Sequence, residues 1–186
     1  ILTRMYAPED FGLLNLFLSI GNVLVVLSIA DYYYAIVLPK NEKDAVALTH
    51  ISLLFLLITT ILVALSVLFS TPISMIFKSP NLAKYYWLMP LYVLIMGMWN
   101  VLNYWYIRKK SFGRISGYQI SQSILSAGGK LGLGYAGVLQ GGMIYATVIA
   151  PFIALLSSLL LSFRKTLRPL LFFSKIDFIS YRICKR

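Results

Sequence analysis

The chain has 186 residues, 59% of them hydrophobic and only 12% charged, with a mean hydropathy of +0.79. Soluble domains carry about 25% charged residues, so this composition excludes an ordinary soluble enzyme or binding domain and indicates an integral membrane protein. The net charge of +11 does not point to nucleic acid, because the cations stand in short clusters between apolar runs rather than along one groove. Cys184 is the only cysteine, so no intramolecular disulfide is available.

In chain order the pattern predicts an all-α polytopic bundle over residues 1–163, with spans at about 8–38, 44–70, 85–107, 115–138 and 143–163. Pro8 suits a first helical position, where its missing N–H costs nothing. Glu9 and Asp10 follow in the first turn, favoured by the helix dipole. Phe11 to Ala30 carries no charge, which is roughly the 20 residues that a hydrocarbon core of about 30 Å requires. Asp31 and Tyr32, Tyr33 and Tyr34 then mark the approach to headgroups, where amphipathic rings collect. The second span, from Asp44 to Ser70, contains the sole histidine, His50, read as an interfacial residue. Pro72, Pro80 and Asn81 predict a turn-rich connection over 71–84. The third span is flanked by Tyr85, Tyr86 and Trp87 at one end and by Tyr104, Trp105 and Tyr106 at the other, followed by a basic turn of Arg108, Lys109, Lys110 and Arg114.

The fourth span is rich in Gly, Ser and Gln and is the weakest by hydropathy, yet the basic turn before it and Gly141 and Gly142 after it frame a helix. The fifth is expected to be interrupted by Pro151. The tail, 164–186, mixes cations with Phe172, Phe173, Phe178 and Tyr181 and reads as a juxtamembrane segment, an amphipathic surface segment or a linker. Thirteen of the seventeen cations lie in 39–45, 107–114 and the tail, against Arg4, Lys78 and Lys84 on the other side. The positive-inside bias therefore places those two loops and the tail in the cytoplasm. The opening Ile1 and "ILTRMY" read as the end of a preceding segment, so the chain is expected to be part of a longer transporter.

Polar residues inside spans are costly and usually face an interior or a water-filled cavity. Lys130 is the one basic residue well inside a span, about 12 Å from the following turn at 1.5 Å per residue. Steps of four back along the helix meet Ser126, Gln122 and Tyr118, with Gln119 and Ser123 beside that line. Lys130 could instead snorkel to the nearer interface, but snorkelling does not account for two glutamines. Asn15, Ser19 and Asn22 form a second stripe, which either bonds between helices or lines the same cavity, and Asn100 and Asn103 could join it. Asp31 is a candidate coupling site. Gly128, Gly129, Gly132, Gly134 and Gly137 suit tight packing or a bending point. One histidine, one cysteine and six scattered carboxylates supply no metal-ligand set. "SAGGKLGLG" lacks the spacing of a phosphate loop and has Leu131 where Ser or Thr is needed. No cofactor and no catalytic set is expected, so the chain is read as a non-enzyme.

"PEDFG" opening a helix, then "AIVLPK" and a turn ending in "DA", resembles the Wzx-type polysaccharide flippases of the multidrug/oligosaccharidyl-lipid/polysaccharide exporter superfamily. "GVLQGGMIYATVIAP" is similar to the same family's fifth-to-sixth helix connection. One departure is visible: the family's arginine and glutamate before "AIVLP" are replaced by Asp31 and Tyr33, so that cation's role does not carry over. The resemblance implies helices two to six of a six-helix lobe in a bacterial inner membrane. It implies export of polyprenyl-pyrophosphate-linked repeat units for O-antigen or capsule, by alternating access and among membrane lipids. Polysaccharide polymerase and ligase machinery are candidate neighbours. Lys130 would then contact the anion, with Gln122, Gln119, Ser126, Asn22 and Asn100 around the sugars. Two rivals stand beside it: a cation-coupled drug or metabolite antiporter, which should carry more acids in its spans, and a non-transporting scaffold of a polysaccharide-assembly complex.

Overall fold

The computed structural model describes residues 5–29, 35–39, 41–77, 79–137 and 141–162. Its helices are α1 (Pro8–Ile29), α2 (Glu42–Ser66), α3 (Ser70–Ile76), α4 (Pro80–Tyr85), α5 (Met89–Arg108), α6 (Phe112–Tyr135) and α7 (Gly142–Ser162). Single 3-10 turns at Val67–Phe69 and Tyr86–Leu88 join α2 to α3 and α4 to α5. Among the described residues, four stretches are long and apolar enough to cross a membrane: Pro8–Ser28, Glu42–Pro72, Pro80–Arg108 and Gly142–Leu160. The 24 residues of α6 give a length of about 36 Å, sufficient to cross although its composition is too polar to stand among those four. The chain is an all-α membrane bundle.

Two local expectations are corrected. The connection over 71–84 is largely helical, because Pro72 and Pro80 fall in first turns of α3 and α4, where a missing N–H breaks no bond. Pro151 does not interrupt the last span but lies inside a continuous α7, a placement membrane helices tolerate when neighbours re-satisfy the freed carbonyl. The segment 164–186, with the aromatic tail, lies outside the described residues.

Lipid offers no hydrophobic drive for helices to associate, so close approach of backbones at small residues does much of the work. One glycine serves each of three crossings. A Cβ on Gly21 of α1 would stand 2.6 Å from Tyr92 Cε1 of α5; one on Gly97 of α5 would overlap Leu56 of α2; and one on Gly129 of α6 would lie 3.3 Å from Ala146 Cβ of α7. Phe17, fully buried, packs edge-on against Tyr92 with centroids 5.6 Å apart. Three hydroxyls of α2 are satisfied within their own helix: Thr49 donates to the Ala45 carbonyl, Ser52 to that of Leu48 and Thr60 to that of Leu56. His50 is exposed, with Nδ1 2.8 Å from the Val46 carbonyl oxygen.

Gly21→Ala should destabilise the bundle. The Tyr92 ring that must yield is held by Phe17 on one side and by a hydrogen bond to Asn22 at its hydroxyl, so the overpacking should cost about 1–3 kcal/mol. Thermal unfolding in detergent would read this. Gly128→Ala, where nothing lies within 4 Å, should be neutral or slightly stabilising, and equal melting of the two variants would refute the packing account.

Candidate functional site

The site is built on α6. Its basic beginning follows the turn after α5, and its end approaches the start of α7, so α6 and α7 form a hairpin in close contact along their length. Gly137, just past the end of α6, and Gly141, just before α7, both have φ near +77°, a left-handed conformation that glycine adopts without a Cβ penalty. At Gly141 a Cβ would also meet the Tyr85 ring.

The line Tyr118, Gln122, Ser126 and Lys130 runs about 18 Å along α6, at 1.5 Å per residue. Steps of four overshoot a full turn, so the line drifts by roughly 120° over its length. Its burial follows that drift: Tyr118 is fully buried in the bundle, whereas Gln122, Ser126 and Lys130 are half-buried. Gln119, one residue off the line, is exposed and is not brought to the others. Because α6 ends at Tyr135, Lys130 lies about 7.5 Å from the helix end rather than the 12 Å expected. The sequence overestimated its depth by placing the helix end at residue 138.

The start of the described chain holds Lys130's backbone in place. The Tyr6 hydroxyl donates to the Lys130 carbonyl oxygen at 2.7 Å, using the second lone pair of an oxygen already in the helical ladder. Tyr6 is 3% exposed. Burial first, and the neighbouring Asp10 carboxylate second, push its hydroxyl above the ordinary tyrosine pKa, so it stays protonated and remains a donor. Gly134 makes room: a Cβ there would stand 2.7 Å from Met5 Cε and 3.2 Å from the Tyr6 ring. At the same end, a cavity of about 480 Å³ opens between α1 and α4, lined by Glu9, Asp10, Asn81, Lys84 and Tyr85 among others.

On α5, Tyr92, Trp99 and Tyr106 recur every seven residues and face α1, α6 and α7 in turn. Tyr92 donates to Asn22 Oδ1 at 3.0 Å. Trp99 stacks on Tyr118 with centroids 3.3 Å apart and planes 11° from parallel. The Tyr106 and Ser158 hydroxyls share a 3.3 Å hydrogen bond. Asn22, otherwise exposed with Asn15 and Ser19, is thus tied to the aromatic line, which is the interhelical use of its stripe. Asn100 is half-buried on α5. Asp31 lies outside the described residues. The sequence reading missed Tyr6, Tyr92 and Trp99. The seven-residue spacing of Tyr92, Trp99 and Tyr106 was a legible signal for one packed face, but nothing local marks Tyr6.

At the other end, Arg108 gathers the chain that follows α1. Its Nη1 donates to the carbonyls of Ile36 at 3.1 Å and Pro39 at 2.6 Å, and its Nη2 to that of Asn41 at 3.2 Å. Lys109 pairs with Glu42. The turns after α1 and α5, both assigned to one side by their charge, therefore meet at one end of the bundle. Among the described residues no group of three or more His, Cys, Asp or Glu side chains could hold a metal ion.

These features define a membrane bundle with a polar track on one helix and an aromatic line on its neighbour. Residues 1–180 match the polysaccharide biosynthesis protein family, and the chain belongs to that family. Comparisons with curated proteins and with solved structures returned no match.

A structural role for Tyr6 predicts that Tyr6→Phe loses one hydrogen bond, about 0.5–1.5 kcal/mol, read as a lower melting temperature. Gly134→Val, which displaces the ring itself, should cost more. A Tyr6→Phe variant melting with the wild type would remove the anchor from the account.

Proposed function

We propose that this chain forms part of a flippase that moves polyprenyl-pyrophosphate-linked oligosaccharide repeat units outward across a bacterial inner membrane, for O-antigen or capsule assembly. The observation that carries the reading is the polar track of α6, about 18 Å long and ending in Lys130, within a helix bundle of the polysaccharide biosynthesis family. A bilayer opposes the passage of a pyrophosphate and of sugar hydroxyls, while a polyprenyl tail is at home in lipid. A track of amide, hydroxyl and ammonium groups substitutes for the hydration those polar parts give up.

In this reading Lys130 contacts the pyrophosphate by a charge-assisted hydrogen bond, and Gln122 and Ser126 bond sugar hydroxyls. Asn100, half-buried on α5, is assigned a further sugar contact. Asn22 supports the site through Tyr92, and Gln119 meets substrate only from the open side of α6. No covalent step is required, so the protein acts as a transporter rather than an enzyme. The loops at 39–45 and 107–114 are the cytoplasmic end, supported by their cation count and by Arg108 joining them.

The test is a deletion of the gene in its own host, restored with the full-length protein, with lipid-linked oligosaccharide measured on each leaflet of the inner membrane. Deletion should trap it on the cytoplasmic leaflet and restoration should release it. An unchanged distribution would discard the flippase and leave the antiporter or scaffold. Thiol labelling adds a second check. Ser126→Cys and Gln122→Cys should react with a water-soluble reagent and be protected by substrate; no reaction at either position would favour the scaffold.

A further inference from the structure

Among the described residues, two buried side-chain polar atoms have no hydrogen-bond partner: the Tyr118 hydroxyl and Asn103 Oδ1. Tyr118 is 2% exposed, and burying such groups unpaired is costly, which makes each instance in a folded protein call for a reason. The two come from facing helices. Trp99, Asn103 and Tyr106 follow one another on one face of α5 at spacings of four and three, the separations that bring helical side chains together. Tyr118 lies flat on Trp99. Tyr106, the next aromatic on that face, does find a partner in Ser158. Polar pairing is therefore possible in this part of the bundle, and Tyr118 and Asn103 do without it.

The chemistry of the orphaned atoms restricts what could satisfy them. Asn103 Oδ1 is an acceptor, so its partner must donate; a phenolic hydroxyl both donates and accepts. A pyrophosphate offers oxygens that accept and cannot satisfy Asn103. The hydroxyls of a sugar both donate and accept, so a sugar has the chemistry to satisfy both kinds of atom. The flat face of Trp99 that Tyr118 now covers is also the kind of apolar surface on which the C–H face of a sugar ring packs. Tyr118 is at the same time the innermost member of the line that continues through Gln122 and Ser126 to Lys130.

We propose that Tyr118 and Asn103 form a sugar-hydroxyl subsite at the inner end of the α6 track, with the Trp99–Tyr118 stack as its closed state. This inference rests on the transport reading and adds to it a place where the sugar, rather than the pyrophosphate, is recognised. Opening requires α6 to move relative to α5 while keeping its hairpin with α7. The packing favours that, because α6 packs far more extensively against α7 than against α5.

The experiment uses the full-length protein in the deletion host, as wild type, Tyr118→Phe and Asn103→Leu. It reads melting temperature in detergent and the leaflet distribution of lipid-linked oligosaccharide. Tyr118→Phe keeps the ring and the stack and removes only the unpaired hydroxyl. It should therefore melt higher, by about 2–4 °C, while flipping roughly fivefold more slowly, the loss of one hydrogen bond to substrate. Those opposite signs are what a packing role alone would not produce. Asn103→Leu should also slow flipping; should it fail to fold, the isosteric Tyr118→Phe decides. If Tyr118→Phe flips at the wild-type rate, whatever its melting temperature, the orphaned atoms are packing remnants or hold only water, and the subsite is overturned. If the wild-type protein itself restores no flipping, the transport reading falls and takes the subsite with it.

Discussion

Lys130→Ala is expected to slow outward movement of lipid-linked oligosaccharide by tenfold or more while the protein still inserts and folds. A charge-assisted hydrogen bond to a pyrophosphate oxygen is worth about 1.5–3 kcal/mol, and each 1.36 kcal/mol lost from the barrier-crossing complex is about a factor of ten in rate. Lys130→Arg should retain most of the rate, since a guanidinium also binds phosphate oxygens. The position of the residue sharpens the test. It is half-buried and about 7.5 Å from the end of α6, close enough for its four-carbon stem to carry the ammonium to the interface. If snorkelling is its whole purpose, Lys130→Ala should flip normally and differ at most in insertion. Normal flipping by the alanine variant would therefore remove the cation from the transport path.

The second large effect belongs to Arg108. Three carbonyls from the segment after α1 accept from its guanidinium, which ties that segment to the end of α5. Each hydrogen bond to a charged donor is worth about 1.5–3 kcal/mol, but Arg108 is only half-buried, and water at the interface recovers part of the loss. Arg108→Ala should thus cost about 2–4 kcal/mol, which lowers the melting temperature by roughly 5–15 °C for a domain of this size. Arg108→Lys should rescue little, because one ammonium on a flexible stem does not replace a planar fork that reaches Ile36, Pro39 and Asn41 together. The adjacent residue is the control: Lys109→Ala breaks an exposed pair with Glu42, worth at most about 1 kcal/mol. If Arg108→Ala melts no lower than Lys109→Ala, the clamp is ornamental.

The helices were legible because hydrocarbon imposes a simple length and polarity rule. That rule located α1, α2, α5 and α7 directly. It located α6 only through its flanks, since Gln119, Gln122, Ser126 and Lys130 dilute its hydropathy below that of a span. Proline misled in the same direction at both places, and for one reason. The residue lacks an N–H wherever it stands, and whether that loss ends a helix depends on its position: harmless in first turns, as at Pro72 and Pro80, and accommodated within a continuous helix at Pro151.

Composition, span order, the grouping of cations at alternate turns and the polar line of α6 follow from the sequence alone, because each depends on local periodicity or on counting. What the line faces does not. A four-residue stripe drifts around its helix, and only the packing of α6 against α5 and α7 decides that Tyr118 enters the bundle while Lys130 remains at its margin. The bond from Tyr6 to the Lys130 carbonyl, the tie from Tyr92 to Asn22 and the stack of Trp99 on Tyr118 join residues 124, 70 and 19 positions apart. Such contacts are set by the relative rotation and depth of helices. Those in turn rest on where Gly21, Gly97 and Gly129 let backbones approach, and on energies distributed over many small contacts that no single stretch of sequence displays.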